Sequence, residues 1–290
     1  MQVQKSFDDE TKGALYIVPT PIGNLEDITY RALNVLKTSS IIAAEDTRNT
    51  KKLLNHFDIN TPLISYHEHN KEAREKEIIN RLEKGEKVAL VSDAGMPAIS
   101  DPGYELIHTS IQENLSVIVL PGANAALCSL VGSGLPTSEF LFYGFLPRKN
   151  KEKKSELERL TKVSSTIIFY ESPYRIKATL QTLLEHLGDR KISMARELTK
   201  RFEEYVRGTI SEILLWLDTN EPRGEYCIVV NGSNEVKEKE DDLWWGHLSV
   251  EDHVNYLITN ERLSSQDAIK RVAKERKMTR REVYRIYHVE

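Results

Sequence analysis

Two cysteines in 290 residues, Cys128 and Cys227, offer no disulfide framework. They sit in unrelated contexts without metal-ligand spacing, and such sparing use points to the reducing environment of the cytoplasm. No apolar run approaches the ~20 residues that a membrane-spanning helix requires. The start, "MQVQKSFDDETKG", is acidic and polar, unlike a secretory leader. A G-x-x-x-x-G-K-[ST] phosphate cradle is missing, which disfavours nucleoside triphosphate hydrolysis. The G-x-G at Gly132-Ser133-Gly134 follows a helix-like stretch rather than a strand, so it is not a dinucleotide fingerprint. Overall positive charge is missing as well. The formal net charge is −4, whereas a surface that grips nucleic acid everywhere is basic.

The positive charge that is present is concentrated. Residues 148–162 carry seven Lys/Arg against three Glu, and residues 262–290 carry nine against four acidic residues. Two such clusters in an acidic chain suggest an anionic partner touched locally. Hydrophobic residues make up 40% and charged residues 29%, a globular composition.

Apolar β-like runs at 15–18, 41–44, 63–66, 88–92 and 117–120 alternate with helical patterns such as 30–37 and 70–82. That alternation predicts an α/β fold with a mostly parallel sheet. The charged, Pro-marked stretch "FLPRKNKEKKSELERL" reads as a domain boundary followed by a helix. Further strands are expected at 166–170, 192–196, 205–206 and 225–230. The organisation predicted is a flexible N-terminus (1–13), an N-terminal α/β domain (14–146), a second α/β domain (147–232), a polar linker (233–242) and a C-terminal helical unit (243–290). In that unit, "TRRE" at 279–282 has capping-box form. Ala268, Ile269, Val272 and Ala273 share one helix face, and Val283, Ile286 and Tyr287 share another, as in a helix-turn-helix-like unit. Trp244 and Trp245 are expected to anchor this tail to the main body.

Three loops at expected strand ends are dense in Gly, Pro, Asp and Asn: "AEDTRNT", "VSDAGMPAISDPG" and "VLPGANAAL". A fourth, "VPTPIGN", is stiffened by prolines where nucleotide-binding folds carry glycines. In open α/β sheets, ligands bind outside the carboxyl ends of the strands. Loops rich in carboxylates and amides suit a ligand bearing hydroxyls, an amine and positive charge. "SYHEHN" places His67, Glu68 and His69 together, but no third group completes a metal site, so no metal is expected.

"VPTPIGNLEDIT", "AEDTRNT", "SDAGMPAISDPGYEL", "LPGANAAL", "FYESPYR" and "RELTKRFEE" together resemble the tetrapyrrole-methylase superfamily. Within it they look like the branch that methylates a cytidine 2′-oxygen in the decoding region of 16S rRNA. The resemblance implies two α/β domains with S-adenosyl-L-methionine in the cleft between them, a homodimer, and 16S rRNA or the small ribosomal subunit as partner, with no membrane. Carried over by position, it implies cofactor contacts at Ile22, Asp93, Gly95, Met96, Asn124, Ala125, Tyr170 and Leu198. The "PTPIGN" turn departs from the glycine-rich turn of members acting on small macrocycles, which argues against a tetrapyrrole substrate. A 2′-hydroxyl needs a proton acceptor. Candidates are Glu45, Asp46, Arg48, Arg196, Glu197, Lys200 and Arg201, with Glu197 and Asp46 preferred. Arg48, Arg175, Lys200 and Arg201 would grip RNA phosphates, as would Lys270, Arg271, Lys274, Arg280 and Arg281 in the tail. The alternatives are a methylase of a macrocycle or protein side chain, and a non-catalytic RNA-binding protein.

Overall fold

The computed structural model describes residues 3–6, 13–233, 244–276 and 278–288. The chain divides into two compact units, Met1–Gly232 and Ser233–Glu290. The expected linker lies outside the described residues except for Ser233. Most of the expected flexible N-terminus lies outside them too, but Gln4 is tied down. Its amide donates to the Val117 carbonyl at 2.8 Å and accepts from the Val117 N–H at 2.9 Å.

The first unit holds two five-stranded sheets. The first comprises β1 (Ala14–Ile17), β2 (Ile41–Ala44), β3 (Leu63–Ser65), β4 (Lys87–Val91) and β5 (Ser116–Val119), in the order β3-β2-β4-β1-β5. All its pairings are parallel. Alternate residues face opposite sides of a strand, and both faces here are buried. Ile42, Ala44, Ala89 and Val91 pack under α1 (Tyr30–Thr38) and α2 (Thr47–His56). Ile41, Ala43, Val88 and Leu90 pack under α3 (Lys71–Glu83) and α4 (Tyr104–Gln112). This two-sided burial is why the strands read as continuous apolar runs.

The second sheet runs β6-β7-β10-β8-β9, from β6 (Phe140–Phe145), β7 (Thr166–Glu171), β8 (Lys191–Arg196), β9 (Glu204–Thr209) and β10 (Tyr226–Val230). Only β6 and β7 pair in parallel; the other three pairings are antiparallel. One face packs on α6 (Asn150–Leu160), α7 (Ile176–Leu187) and α8 (Ile210–Thr219). The other face packs on α5 (Ala125–Ser133), where Ala126 and Leu130 meet Ile168, Cys227 and Val229. The boundary expected at 146/147 is therefore displaced. Phe140–Phe145 is the edge strand of the second sheet, and the charged stretch beyond Pro147 builds α6 rather than a divide. The α5 helix, reached directly from β5, also lies on the second sheet.

Among the described residues, the second unit is a cluster of three helices, α9 (Val250–Glu261), α10 (Ser265–Glu275) and α11 (Arg280–His288). Val254, Leu257, Ala268, Ile269, Val272, Ala273 and Val283 form its own core. Each helix start is capped. Ser249 accepts from the Asp252 N–H at 2.9 Å and Ser264 from the Asp267 N–H at 3.2 Å, while Thr279 and Glu282 cap reciprocally at 2.8 and 3.3 Å. The two tryptophans pack within this unit. Trp244 lies against Tyr256 (4.3 Å between centroids), Trp245 stacks on His253 (5.1 Å), and Arg276 sits over Trp245 at 4.9 Å.

Candidate functional site

Four loops leave the carboxyl ends of β1, β2, β4 and β5, and the first three are bonded to one another. Thr20 and Gly95 exchange backbone hydrogen bonds, both 2.9 Å, so the proline-stiffened loop is stitched to the loop after β4. Asp93 accepts from the Asp46 N–H and from Asn49 Nδ2, both at 3.1 Å, which ties the β4 loop to the start of α2. Asp46 caps α2, accepting from the Arg48 N–H at 2.8 Å. Asn124 caps α5, accepting from the Leu127 N–H at 3.0 Å.

Loops from the second sheet close the other side. Asn24 donates its N–H to Thr199 Oγ1 at 2.9 Å. Glu197 Oε1 accepts from Lys200 Nζ at 3.0 Å and from the Glu225 N–H at 3.3 Å. Ala98 and Ser100 on one side, and Glu197 and Thr199 on the other, hold positive φ of 65°, 65°, 48° and 66°. Non-glycine residues in that region carry a conformational cost, and all four lie in the loops that frame the same space.

That space is a cavity of about 490 Å³. Ile22, Asp93, Gly95, Met96, Asn124, Ala125, Tyr170 and Leu198 all line it, together with Glu45, Asp101, Phe145, Lys200 and Glu225. Its chemistry is apolar walls and many carboxylates. Burial and the neighbouring Asp93 push the Glu45 carboxyl up. Burial, then Glu45 and Asp93, push Asp101 up to about 7, against a hydrogen bond from Ser92. Burial also raises the Tyr170 phenol, whose ring is wedged edge-on against Phe142 and Phe145, at 5.2 and 5.6 Å. Burial pushes the Cys227 thiol to about 12, leaving it unreactive.

The profile of the tetrapyrrole (corrin/porphyrin) methylases matches residues 14–214. This chain belongs to that family. Its relatives include proteins named ribosomal RNA small subunit methyltransferase I. The one from Halalkalibacterium halodurans is 52% identical over 100% of both chains. The one from Bacillus subtilis is 52% identical over 99% of this chain and 98% of its own, and the one from Synechocystis is 44% identical over 94% and 97%. Solved structures share the fold at low identity. A diphthine synthase superposes with a TM-score of 0.58 at 11% identity, covering 76% of this chain and 90% of its own. A Thermus thermophilus uroporphyrin-III C-methyltransferase, solved with S-adenosylhomocysteine, gives 0.53 at 19%, covering 76% and 97%.

The family's cleft brings together some of the expected residues and separates others. Glu197 lines the cavity, whereas Asp46 does not. The Asp46 carboxylate is bound by Arg48 Nε (3.1 Å) and Nη2 (2.7 Å), which hold it down at about 2. Lys200 lines the cavity, and Arg201 is exposed beside Phe202. Arg175 is built into the second sheet's support: its Nη2 donates to the Leu146 carbonyl at 3.0 Å and to buried Glu171 at 3.1 Å. In the tail, Lys270, Lys274, Arg280 and Arg281 are exposed, while Arg271 pairs with Glu261 and Glu275. Asp101 and Phe145 were not expected at the site. "SDPG" reads as an ordinary turn, and only the fold turns its carboxyl onto Glu45 and Asp93. His67 and His69 have ring centroids 6.0 Å apart, and among the described residues no three His, Cys, Asp or Glu side chains gather as a metal site.

Proposed function

We propose that this chain is an S-adenosylmethionine-dependent methyltransferase of small-subunit ribosomal RNA that modifies a cytidine at its ribose 2′-oxygen, in the decoding region of 16S rRNA. The observation that carries this reading is full-length identity of 52% to proteins named for that RNA, and the cavity supports it. A ligand with a sulfonium, an amine and ribose hydroxyls fits a lining of Glu45, Asp93, Glu197 and Glu225. The negative potential stabilises cationic groups, and fixed carboxylates accept from hydroxyls. Ile22, Met96, Ala125 and Leu198 supply apolar wall that excludes water.

When bound, the cofactor supplies a methyl group on an activated sulfonium. The protein's task is then mainly alignment, worth up to about 7–11 kcal/mol for well-oriented groups. The Thr20–Gly95 bridge, the Asp93 clamp and the Asn24–Thr199 bond fix the walls around the ligand before it arrives. Lys200, Arg201 and Arg48 stand where RNA phosphates would cross the rim, and Lys270, Lys274, Arg280 and Arg281 give the tail a cationic surface. Exposed Leu127 and Val131, one turn apart on α5, support a homodimer. The cytoplasm, where ribosomal RNA is made, is its expected location.

The test is incubation of the purified protein with methyl-labelled S-adenosylmethionine and either small subunits or naked rRNA, followed by nuclease mapping. Label on one cytidine ribose is the expected result. Label on protein, on a tetrapyrrole, or nowhere would overturn the proposal.

A further inference from the structure

The carboxylates around the cavity differ in what already holds them. Asp93 accepts from the Asp46 N–H and Asn49. Glu197 accepts from Lys200 and the Glu225 N–H. Glu171 accepts from Thr179 at 2.7 Å, from the Ser172 N–H at 2.8 Å and from Arg175. Glu45 accepts from the Asp93 N–H. Donors that stabilise a carboxylate's charge make it a poorer proton acceptor. Glu225 is exposed to solvent, whereas Asp101 is half-buried, and among the described residues it has the Ser92 hydroxyl alone and no ion pair. Its position is fixed by the backbone on both sides. Ala98 and Ser100 hold positive φ, and Gly103, at φ 141°, is pressed to the sheet so closely that a Cβ would stand 2.8 Å from Leu90 Cδ2. Gly144 in the β6 bulge also leaves room for the turn: a Cβ there would stand 3.1 Å from Ser100 Oγ.

We propose that Asp101 is the proton acceptor of the methyl transfer, a role that rests on the reading above. Its carboxylate takes the proton from the attacking ribose hydroxyl. The released O–H electron pair becomes available to the oxygen, which forms the new C–O bond. The C–S bond breaks with its pair going to sulfur, leaving a neutral thioether, an ether and a protonated Asp101. Glu45 after β2, Asp93 after β4, Glu225 before β10 and the Tyr170 phenol on β7 face Asp101, and all but Tyr170 are carboxylates. Surroundings of like charge keep the base basic at neutral pH.

The experiment uses the full chain and two variants, Asp101→Asn and Asp101→Glu. Single-turnover methylation of small subunits should rise with pH through neutrality in the wild type. In Asp101→Asn it should fall about hundredfold or more and lose that limb, while Asp101→Glu recovers part of the rate. Calorimetry should show cofactor affinity within threefold in both variants. An infrared pH titration of the unliganded wild type should show a carboxyl losing its proton near neutrality, absent in Asp101→Asn. A rate for Asp101→Asn within fivefold of wild type, an unchanged pH limb, or collapse of cofactor binding would each overturn the assignment. A wild type that methylates no RNA would instead defeat the function proposed above, so the two failures are separable.

Discussion

Gly23 lies against Lys200 with no space between them: a Cβ on Gly23 would stand 2.4 Å from Lys200 Cγ and 3.1 Å from the Leu198 carbonyl oxygen. The proline-stiffened turn therefore needs a glycine not to wrap a phosphate but to let one loop touch another across the cavity mouth. Gly23→Ala should weaken cofactor binding about five- to fiftyfold by forcing those loops apart, within the ~1–3 kcal/mol that overpacking costs. Calorimetry reads the loss, and circular dichroism should show an unchanged fold.

Asp93→Ala removes the acceptor that holds both the Asp46 N–H and Asn49. Groups left without partners cost about 1–3 kcal/mol. Cofactor affinity should fall accordingly, and the start of α2 should exchange its amide hydrogens faster. Wild-type affinity in Asp93→Ala would show that the clamp plays no part in binding.

Arg175→Met separates structure from RNA contact. Glu171 is fully buried, and removing its cation leaves a charge inside. Breaking a buried pair costs about 3–5 kcal/mol, and we expect roughly 1–3 here because the arginine is partly exposed. The melting temperature should drop while the salt dependence of rRNA binding stays as it was.

Replacing Lys270, Lys274, Arg280 and Arg281 together by glutamine should weaken rRNA binding and flatten its dependence on log salt, with each lost phosphate contact removing close to one unit of slope. Cofactor binding should not change. Arg271→Gln should act differently: its guanidinium joins Glu261 on α9 to Glu275 on α10, so faster exchange in those helices is expected.

His253 is buried in the tail, with Nδ1 accepting from Arg276 Nε at 3.2 Å and Nε2 lying 3.2 Å from Glu275. Burial depresses its pKa below the ordinary 6.5, despite Glu275. The folded unit thus binds fewer protons than the unfolded one below 6.5. Stability is fully present above that pH and declines as the pH falls through it. Hydrogen-exchange protection factors in α9 and α10, corrected for the intrinsic rate, should fall between about pH 7 and pH 5, and His253→Gln should abolish the trend.

The five parallel strands were legible because each is an apolar run, with central β1, β2 and β4 buried on both faces, and the ligand loops because they end those runs. Partner choice was not legible. Phe140–Phe145 has no local mark that distinguishes pairing with Val119 from pairing with Ile168, and the prolines and lysines that follow looked like a divide. The packing of the tryptophans within the tail was hidden for a related reason: adjacency to a linker is visible in sequence, whereas the His253 ring they enclose is brought to them by the helix that Ser249 caps. At the site, the cofactor-side residues were carried by motif position. Asp101 was not, since its surroundings are assembled from three strand ends and its own sequence says only "turn".

The α5 helix follows the first sheet in chain order yet is fastened to the second. Gly132 lies flat on the Tyr205 ring and its carbonyl accepts from Arg207, while Tyr205 reaches the Cys128 carbonyl at 3.4 Å. The passage from one sheet to the other is thus the short stretch between β5 and α5, and Asn124 in it lines the cavity. A ligand in that cavity therefore touches the one stretch of chain that joins the two sheets, so its binding bears on both sheets at once.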